Sequence, residues 1–343
     1  VNSITLANGS NGGLAANYSI STGQTTTANI TPKSLTVSGI TASNKTYNGN
    51  AVATLNTGSV AYSGLVDGDT FNGTYTGAFS DKNVGTGKTV TITPSYSGAD
   101  VSNYSITNHA DVTANITAKS LTVSGVTASD KTYDGSVTAT MNSSSAVYSG
   151  FVNGDDFAAS YSGVFSDKNV GSGKTVTITS SYAGADVSNY NITDQTSTTA
   201  NISAKVLTAT ASASNKVYDG SSAATSTLTL SGFVGSETVT STNSSTFNNK
   251  NAGTGKTVTV NSITLVDGAN GGLASNYSIN TGQTTTANVN AKALTVSGIT
   301  ASNKVYDSTT NATTVLSFSG LIGSETINNT NSSTFDNKNI GTG

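Results

Sequence analysis

Four places in this sequence bring together side chains that could do chemistry. The first is Lys-x-Tyr-Asp/Asn-Gly, which puts an amine, a phenol and a carboxyl or amide within five residues. Its members are Tyr47-Asn48-Gly49, Tyr133-Asp134-Gly135, Tyr218-Asp219-Gly220 and Tyr306-Asp307, each tyrosine two residues after a lysine. The second is Gly-Thr/Ser-Gly-Lys-Thr at 85–89, 171–175 and 253–257. The third is a set of acidic turns, Asp67-Gly68-Asp69 and Asp155-Asp156. The fourth is His109, the single histidine of the chain.

Each has a chemical reading and a plainer one. His109 has no recurring partner, and a general base needs a positioned one, so it reads as a solvated loop residue. No nucleophile elbow accompanies the many serines, so no triad forms and no catalytic residue is expected. Gly-Thr-Gly-Lys-Thr resembles part of a phosphate loop. A phosphate loop needs another glycine five residues before the Gly-Lys pair and a helix after it. Here Val/Thr alternation follows, so the segment reads as a hairpin turn and no nucleotide cofactor is expected. Asp67, Asp69, Asp155 and Asp156 are candidate calcium ligands, since calcium takes six to eight oxygens. Solvated turns are the competing reading. The recurrent lysines, Lys45 among them, admit Lys–Asn cross-links, although a lysine beside a strand is usually a solvated edge charge. In Tyr-Asp/Asn-Gly, an Asx residue followed by glycine suits the positive φ of a tight turn.

The elements that hold these groups repeat with them. The four motif tyrosines lie 86, 85 and 88 residues apart, and Asn-Tyr-Ser/Asn-Ile at 17–20, 103–106, 189–192 and 276–279 keeps nearly the same beat. A period that long is a domain. The repeats run 33–118, 119–204 and 205–291, with a C-terminal part of one at 1–32 and an N-terminal part of another at 292–343. Val1–Leu6 matches 260–265, and 339–343 matches 251–255, so a longer array is expected on both sides. The junctions are two or three residues long, which predicts an elongated, semi-stiff rod.

Alternation dominates within a repeat: Val176 and Ile178 against Thr175, Thr177 and Thr179, and Leu121 and Val123 against Thr122 and Ser124. A helical period is lacking. Seven or so short strands predict an all-β, Ig-like two-sheet sandwich. One strand carries Phe71, Gly73, Tyr75, Gly77 and Phe79 on a single face, and 157–165 repeats the scheme. In 205–291 the matching strand is polar except at Val239 and Phe247, which predicts a thinner core. Two flavours emerge. Repeats 33–118 and 119–204 end in Gly-Ala-Asp-Val-Ser-Asn-Tyr; 205–291 and the partial repeats carry Gly-Ser-Glu-Thr or Asn-Gly-Gly-Leu-Ala.

Hydrophobic residues make up 34% of the chain and charged residues 10%, so the core is lean and order must come from strand formers. The net charge is −3 with no basic cluster, which argues against a nucleic-acid partner. The absence of cysteine excludes disulfides and thiolate metal sites. No apolar run is long enough for a membrane helix, so no membrane insertion is expected in this segment.

Lys-x-Tyr-Asp-Gly, then Asn-x-Gly-Thr/Ser-Gly-Lys-x-Val, then Asn-Tyr-x-Ile, in fixed order and over essentially the whole chain, resembles the YDG and related mostly-β, glycine-rich repeats of large bacterial surface proteins, filamentous-haemagglutinin-like exoproteins among them. Asn48 and Ser308 depart from the pattern, so the motif aspartate reads as a turn residue. The resemblance implies an extracellular, cell-surface stalk or adhesive fibre. Its expected partners are neighbouring repeats of the same or identical chains and host or matrix glycans. A self-assembling filament whose end repeats are completed by neighbouring copies, and a glycan-binding module, are the alternatives.

Overall fold

The structure is a computed structural model that describes residues 1–342. It is all-β. Among the described residues the helical turns are four three-residue 3₁₀ segments, each set just before the tyrosine of an Asn-Tyr motif.

Repeat 33–118 shows how the sequence makes the fold. Its strands are β1 (Lys33–Ser38), β2 (Thr41–Ala42), β3 (Lys45–Thr46), β4 (Val52–Ala53), β5 (Leu55–Asn56), β6 (Ala61–Ser63), β7 (Asn72–Phe79), β8 (Gly85–Ser97), β9 (Tyr104–Thr107) and β10 (Val112–Thr117). One sheet has the order β6-β1-β9 and the other β3-β10-β8-β7-β4, with β2-β5 as a short third pair. The strand pieces outnumber the seven expected, in part because a glycine interrupts the opening strand. Gly39 (φ +82) separates β1 from β2, and a Cβ there would lie 2.0 Å from the Ser59 carbonyl oxygen. Repeat 205–291 is one residue shorter at this point and lacks the glycine. Its strand Lys205–Ala213 runs through unbroken and pairs along Ser226–Ser231.

Burial follows the alternation. In β1 Leu35 and Val37 are buried while Ser34, Thr36 and Ser38 are exposed, and in β8 Val90 and Ile92 are buried. The ring-and-glycine face of β7 interdigitates with its neighbours: Gly73 leaves room for the Tyr62 and Tyr75 hydroxyls, and Gly77 for Leu55. In 205–291 the polar strand Val239–Phe247 fills the same space differently. Ser226 Oγ lies 2.8 Å from Asn243 Oδ1 and 2.7 Å from Ser245 Oγ, so a hydrogen-bonded cluster replaces the rings. Buried polar atoms satisfied in this way cost little.

Two pairings are parallel, β1 with β9 and β3 with β10, and nothing in the alternation announces them.

The chain divides into two compact units, 1–124 with 147–160 and 181–194, and 125–146 with 161–180 and 195–343. Core clusters fall both within repeats and across their boundaries. In the first unit one core cluster joins Tyr47, Phe79, Val90 and Ile116 of repeat 33–118 to Leu121 and Tyr190 of the next. In the second, Tyr133, Phe165, Val176 and Ile202 pack with Leu207, Val239 and Tyr277. These two clusters run across a repeat boundary. Other clusters stay inside one repeat: Leu35, Phe71 and Tyr104, and Val37, Ile40 and Ile92, within 33–118, and Phe247, Val258, Ala287 and Val289 within 205–291.

A carboxylate lock at each repeat boundary

The Lys-x-Tyr-Asp-Gly segment builds one side of the boundary. Its lysine closes the loop. Lys131 Nζ donates to Asp134 Oδ1 at 2.7 Å, Ser136 O at 2.9 Å and Thr138 O at 3.2 Å, and sits over the Phe165 ring. Lys216 and Lys304 bind Asp219 and Asp307 in the same way. The aspartate also caps backbone, Asp134 Oδ1 accepting from Ser136 N. Asn48 does the same work through its amide oxygen, 2.9 Å from Lys45 Nζ. The Asx-Gly turn has the expected positive φ at Gly49, Gly135 and Gly220, and Ser308 takes φ +65 in the last copy.

The glycine has a second reason that sequence alone did not show. A Cβ on Gly49 or Gly135 would lie 2.7 Å from a methyl of Val152 or Val234, and one on Gly220 2.9 Å from Ile322. Each of those residues belongs to the following repeat. The turn is bare so that the next repeat can press against it.

The tyrosine crosses the boundary. Tyr133 is 1% exposed, and its hydroxyl donates to Glu237 Oε1 and Oε2 at 2.8 and 2.9 Å. Tyr277, from the Asn-Tyr-Ser-Ile motif of Glu237's own repeat, donates to Oε2 at 2.7 Å. Lys168 Nζ donates to Oε1 at 2.7 Å and lies over the Tyr133 ring. The two rings meet edge to face, 5.5 Å apart. Beside them Asn276, fully buried, accepts from Val170 N at 2.9 Å and donates to Asn169 Oδ1 at 3.0 Å.

The preceding boundary repeats this with aspartate. Asp155 accepts from Tyr47 at 2.8 and 2.9 Å, from Tyr190 at 2.5 Å and from Lys82 at 3.0 Å. Lys82 also meets Asp186 at 2.8 Å, and Asn189 ties Asn83 and Val84. At the last boundary Glu325 accepts from Tyr218 and from Lys250.

Burial pushes the Asp155 and Glu237 carboxyls up, but the tyrosine and lysine hydrogen bonds outweigh it and hold both below the usual range. The Tyr218 hydrogen bond leads in lowering Glu325. Burial, together with the carboxylate bond, raises Tyr47, Tyr133, Tyr190 and Tyr277. Hydrogen bonds to the acids raise Lys82, Lys168 and Lys250.

The candidate calcium ligands fall in different settings. Asp155 is committed to the lock. Asp69 accepts from Tyr104, Asp156 Oδ2 accepts from Ala185 N, and Asp67 is an exposed turn residue. Among the described residues no group of three acids or histidines is placed to hold a metal ion. Gly85-Thr86-Gly87-Lys88 opens strand β8, with Gly87 at φ +60 and Lys88 Nζ on Asp81. His109 lies half-buried between β9 and β10, its Nδ1 2.6 Å from the Ala110 carbonyl oxygen.

The lock went unseen in the sequence, yet it left a signal. Asp69, Asp155, Glu237 and Glu325 step by 86, 82 and 88 residues, and Lys82, Lys168, Lys250 and Lys338 step by the same amounts. The Asp-to-Glu exchange hid the acid's recurrence.

Tandem β-sandwiches fastened in this way define a repeat-containing structural region. The YDG domain matches residues 31–114, 117–199, 203–287 and 290–343, and the chain belongs to that family. No curated protein matches it in sequence. A crystal structure of the I9–I11 tandem from titin is similar at 10% identity over 74% of this chain and 99% of that one, with a TM-score of 0.18. At that score the superposition is loose, and the fold assignment rests on the strands and sheets described above.

Proposed function

We propose that this chain is the stalk and adhesive repeat region of a bacterial extracellular surface protein. It acts by spanning distance and by presenting the same weak contacts many times, to matrix or host glycans or to other copies. The observation that carries this reading is the lock. A buried acid that gathers two tyrosines and a lysine from both sides of a boundary makes neighbouring repeats lean on each other, which a load-bearing array needs and separately working modules do not. The absence of cysteine and the resemblance to surface-protein repeats support the location. Tethered copies of one surface convert weak contacts to avidity without any deep pocket.

Small-angle scattering on the chain with Glu237→Ala tests the mechanical part. The expected result is a shorter and broader distribution of pair distances than in the parent, with circular dichroism unchanged. Identical scattering from both proteins would sink the stalk reading. A glycan array compared between three-repeat and one-repeat fragments tests the adhesive part, and retention that does not rise with repeat number would remove it.

A further inference from the structure

The first and last stretches of each intact repeat lie side by side and run the same way. In repeat 33–118 the opening stretch, 33–46, holds β1, β2 and β3, and the closing stretch, 104–117, holds β9 and β10. β1 pairs parallel with β9, Lys33 opposite Tyr104 and Thr36 opposite Thr107, in the sheet that contains β6. Further along, β3 pairs parallel with β10 in the other sheet, Thr46 opposite Thr117. Both pairings keep one register. Asn115 N keeps it too, donating at 2.7 Å to Asn44 Oδ1, 71 residues before it. Tyr47 N closes the far end on Thr117 O at 2.8 Å. The two stretches thus stay together as they pass from one sheet to the other.

The other two intact repeats build the same pair. Lys119 lies opposite Tyr190 and Thr132 opposite Ser203, with Asn201 N on Asp130 Oδ1 and Tyr133 N on Ser203 O. There Gln195 also takes both main-chain groups of Val126, accepting from its N–H at 2.9 Å and donating to its carbonyl at 2.8 Å. In 205–291 Lys205 lies opposite Tyr277 and Val217 opposite Asn290, with Asn288 N on Asn215 Oδ1 and Tyr218 N on Asn290 O. The bridging residue is Asn in two copies and Asp in one, so what the site uses is the side-chain oxygen both share.

The direction of these pairs decides how they answer tension. A pull along the chain enters the opening stretch at its first residue, Lys33, and leaves the closing stretch at its last, Thr117. Parallel strands pulled from opposite ends slide past each other. All the bonds between them are strained together, so the load is divided. Pulled from a shared end they would peel, and each bond in turn would carry the whole load. The evenly spaced, slanted bonds of a parallel ladder suit it to sharing. Sliding must also drag buried side chains past close-packed neighbours: Leu35, Val37 and Ile40 on the opening stretch, Tyr104, Ala114 and Ile116 on the closing one.

We infer that the opening and closing stretches of each repeat form a shear clamp, the element that keeps the repeat folded when the chain is under tension. Force crosses directly from 33–46 to 104–117, and residues 47–103 are bypassed until the clamp slips. The Asx residue at 44, 130 and 215 is a positioning residue, fastening the second ladder where it begins. Forced unfolding follows the unfolding rate rather than equilibrium stability, so the clamp raises resistance to force without having to raise the melting temperature. The inference rests on the stalk reading for the source of the tension. It concerns the inside of a repeat, whereas the lock concerns the boundary.

The chain has no cysteine, so introduced pairs can serve as its sole attachment points for force. Optical tweezers on the full chain should compare two pairs. Thr31→Cys with Ala118→Cys makes the stretches slide, and Thr31→Cys with Ser102→Cys peels them from their shared start. The sliding pair should need a several-fold larger force to open repeat 33–118. Asn44→Ala, its fold checked by circular dichroism, should lower that force and leave the peeling force, which is set at the Lys33 end, unchanged. Equal forces in the two geometries would overturn the inference, as would an Asn44→Ala effect of the same size in both. Neither result touches the stalk reading, which Glu237→Ala scattering decides. Direction-dependent force beside unchanged scattering would keep the clamp and remove the stalk.

Discussion

At the scale of a residue, the YDG glycine and the boundary acid are the two places where one atom decides the outcome. Gly135 combines φ +78 with a would-be Cβ 2.7 Å from Val234 Cγ1. Gly135→Ala should cost about 1–3 kcal/mol through backbone strain and overpacking together. The strain remains whatever surrounds it, whereas the clash is relieved by shortening Val234. A double-mutant cycle with Val234→Ala should therefore show favourable coupling, read from denaturant midpoints. Strict additivity would mean that the glycine serves its own turn only. At Glu237 the argument concerns satisfaction. Glu237→Ala strands the Tyr133 and Tyr277 hydroxyls in a buried place, and each unsatisfied hydroxyl costs about 1–3 kcal/mol. Tyr133→Phe removes one donor but leaves the carboxylate with Tyr277 and Lys168, so it should cost nearer 1 kcal/mol. Equal losses from the two variants would contradict the geometry.

At the scale of an element, the Lys-x-Tyr-Asp-Gly loop offers a comparison within one chain. Asn48 stands where Asp134, Asp219 and Asp307 do, and still receives its lysine. The carboxylates are about half exposed, 53% at Asp134 and 55% at Asp219, so the charge itself contributes little. Asp134→Asn should change stability by under about 1 kcal/mol. Lys131→Met should cost more, because it releases the Ser136 and Thr138 carbonyls as well as the acid. Thermal melts of the two variants check the order, and a larger loss from Asp134→Asn would refute it. The sequence reading saw this turn correctly because Asx-Gly chemistry is local. It saw the strands for the same reason: Leu35, Val37, Val90 and Ile92 alternate with polar neighbours, and period-two burial needs no knowledge of the partner. It missed the parallel pairings and the shared cores because those depend on which distant strand lies alongside. It read Asp155 as a candidate calcium ligand because the tyrosines and lysine that surround it come from 35, 108 and 73 residues away.

At the scale of the molecule, the locks tie the coupling of repeats to pH. Asp155, Glu237 and Glu325 are held below their ordinary values in the folded chain. A lowered acid contributes stability that is present above its unfolded value, about 4, and is lost as pH falls through the folded one. Asp186, lowered chiefly by Lys82, adds to the same limb at the first boundary. The groups facing these acids shift the other way. Tyr47, Tyr133, Tyr190, Tyr218 and Tyr277 and Lys82, Lys168 and Lys250 are raised. Their contribution is complete below the unfolded values, about 10, and is lost as pH rises through the folded ones. Between these limits the acids are charged, the phenols neutral and the lysines charged, which is the one combination that satisfies every hydrogen bond at each boundary. The melting temperature should therefore form a plateau that falls below about pH 4 and above about pH 10. Joining Asp155→Asn to Glu237→Gln should lower the plateau and flatten the acid limb, because two of the groups that must take up protons are gone. The alkaline limb should persist, since the buried tyrosines still resist ionisation. An acid limb as steep in the double variant as in the parent would place the acid sensitivity outside the boundaries and detach the locks from the stability of the array.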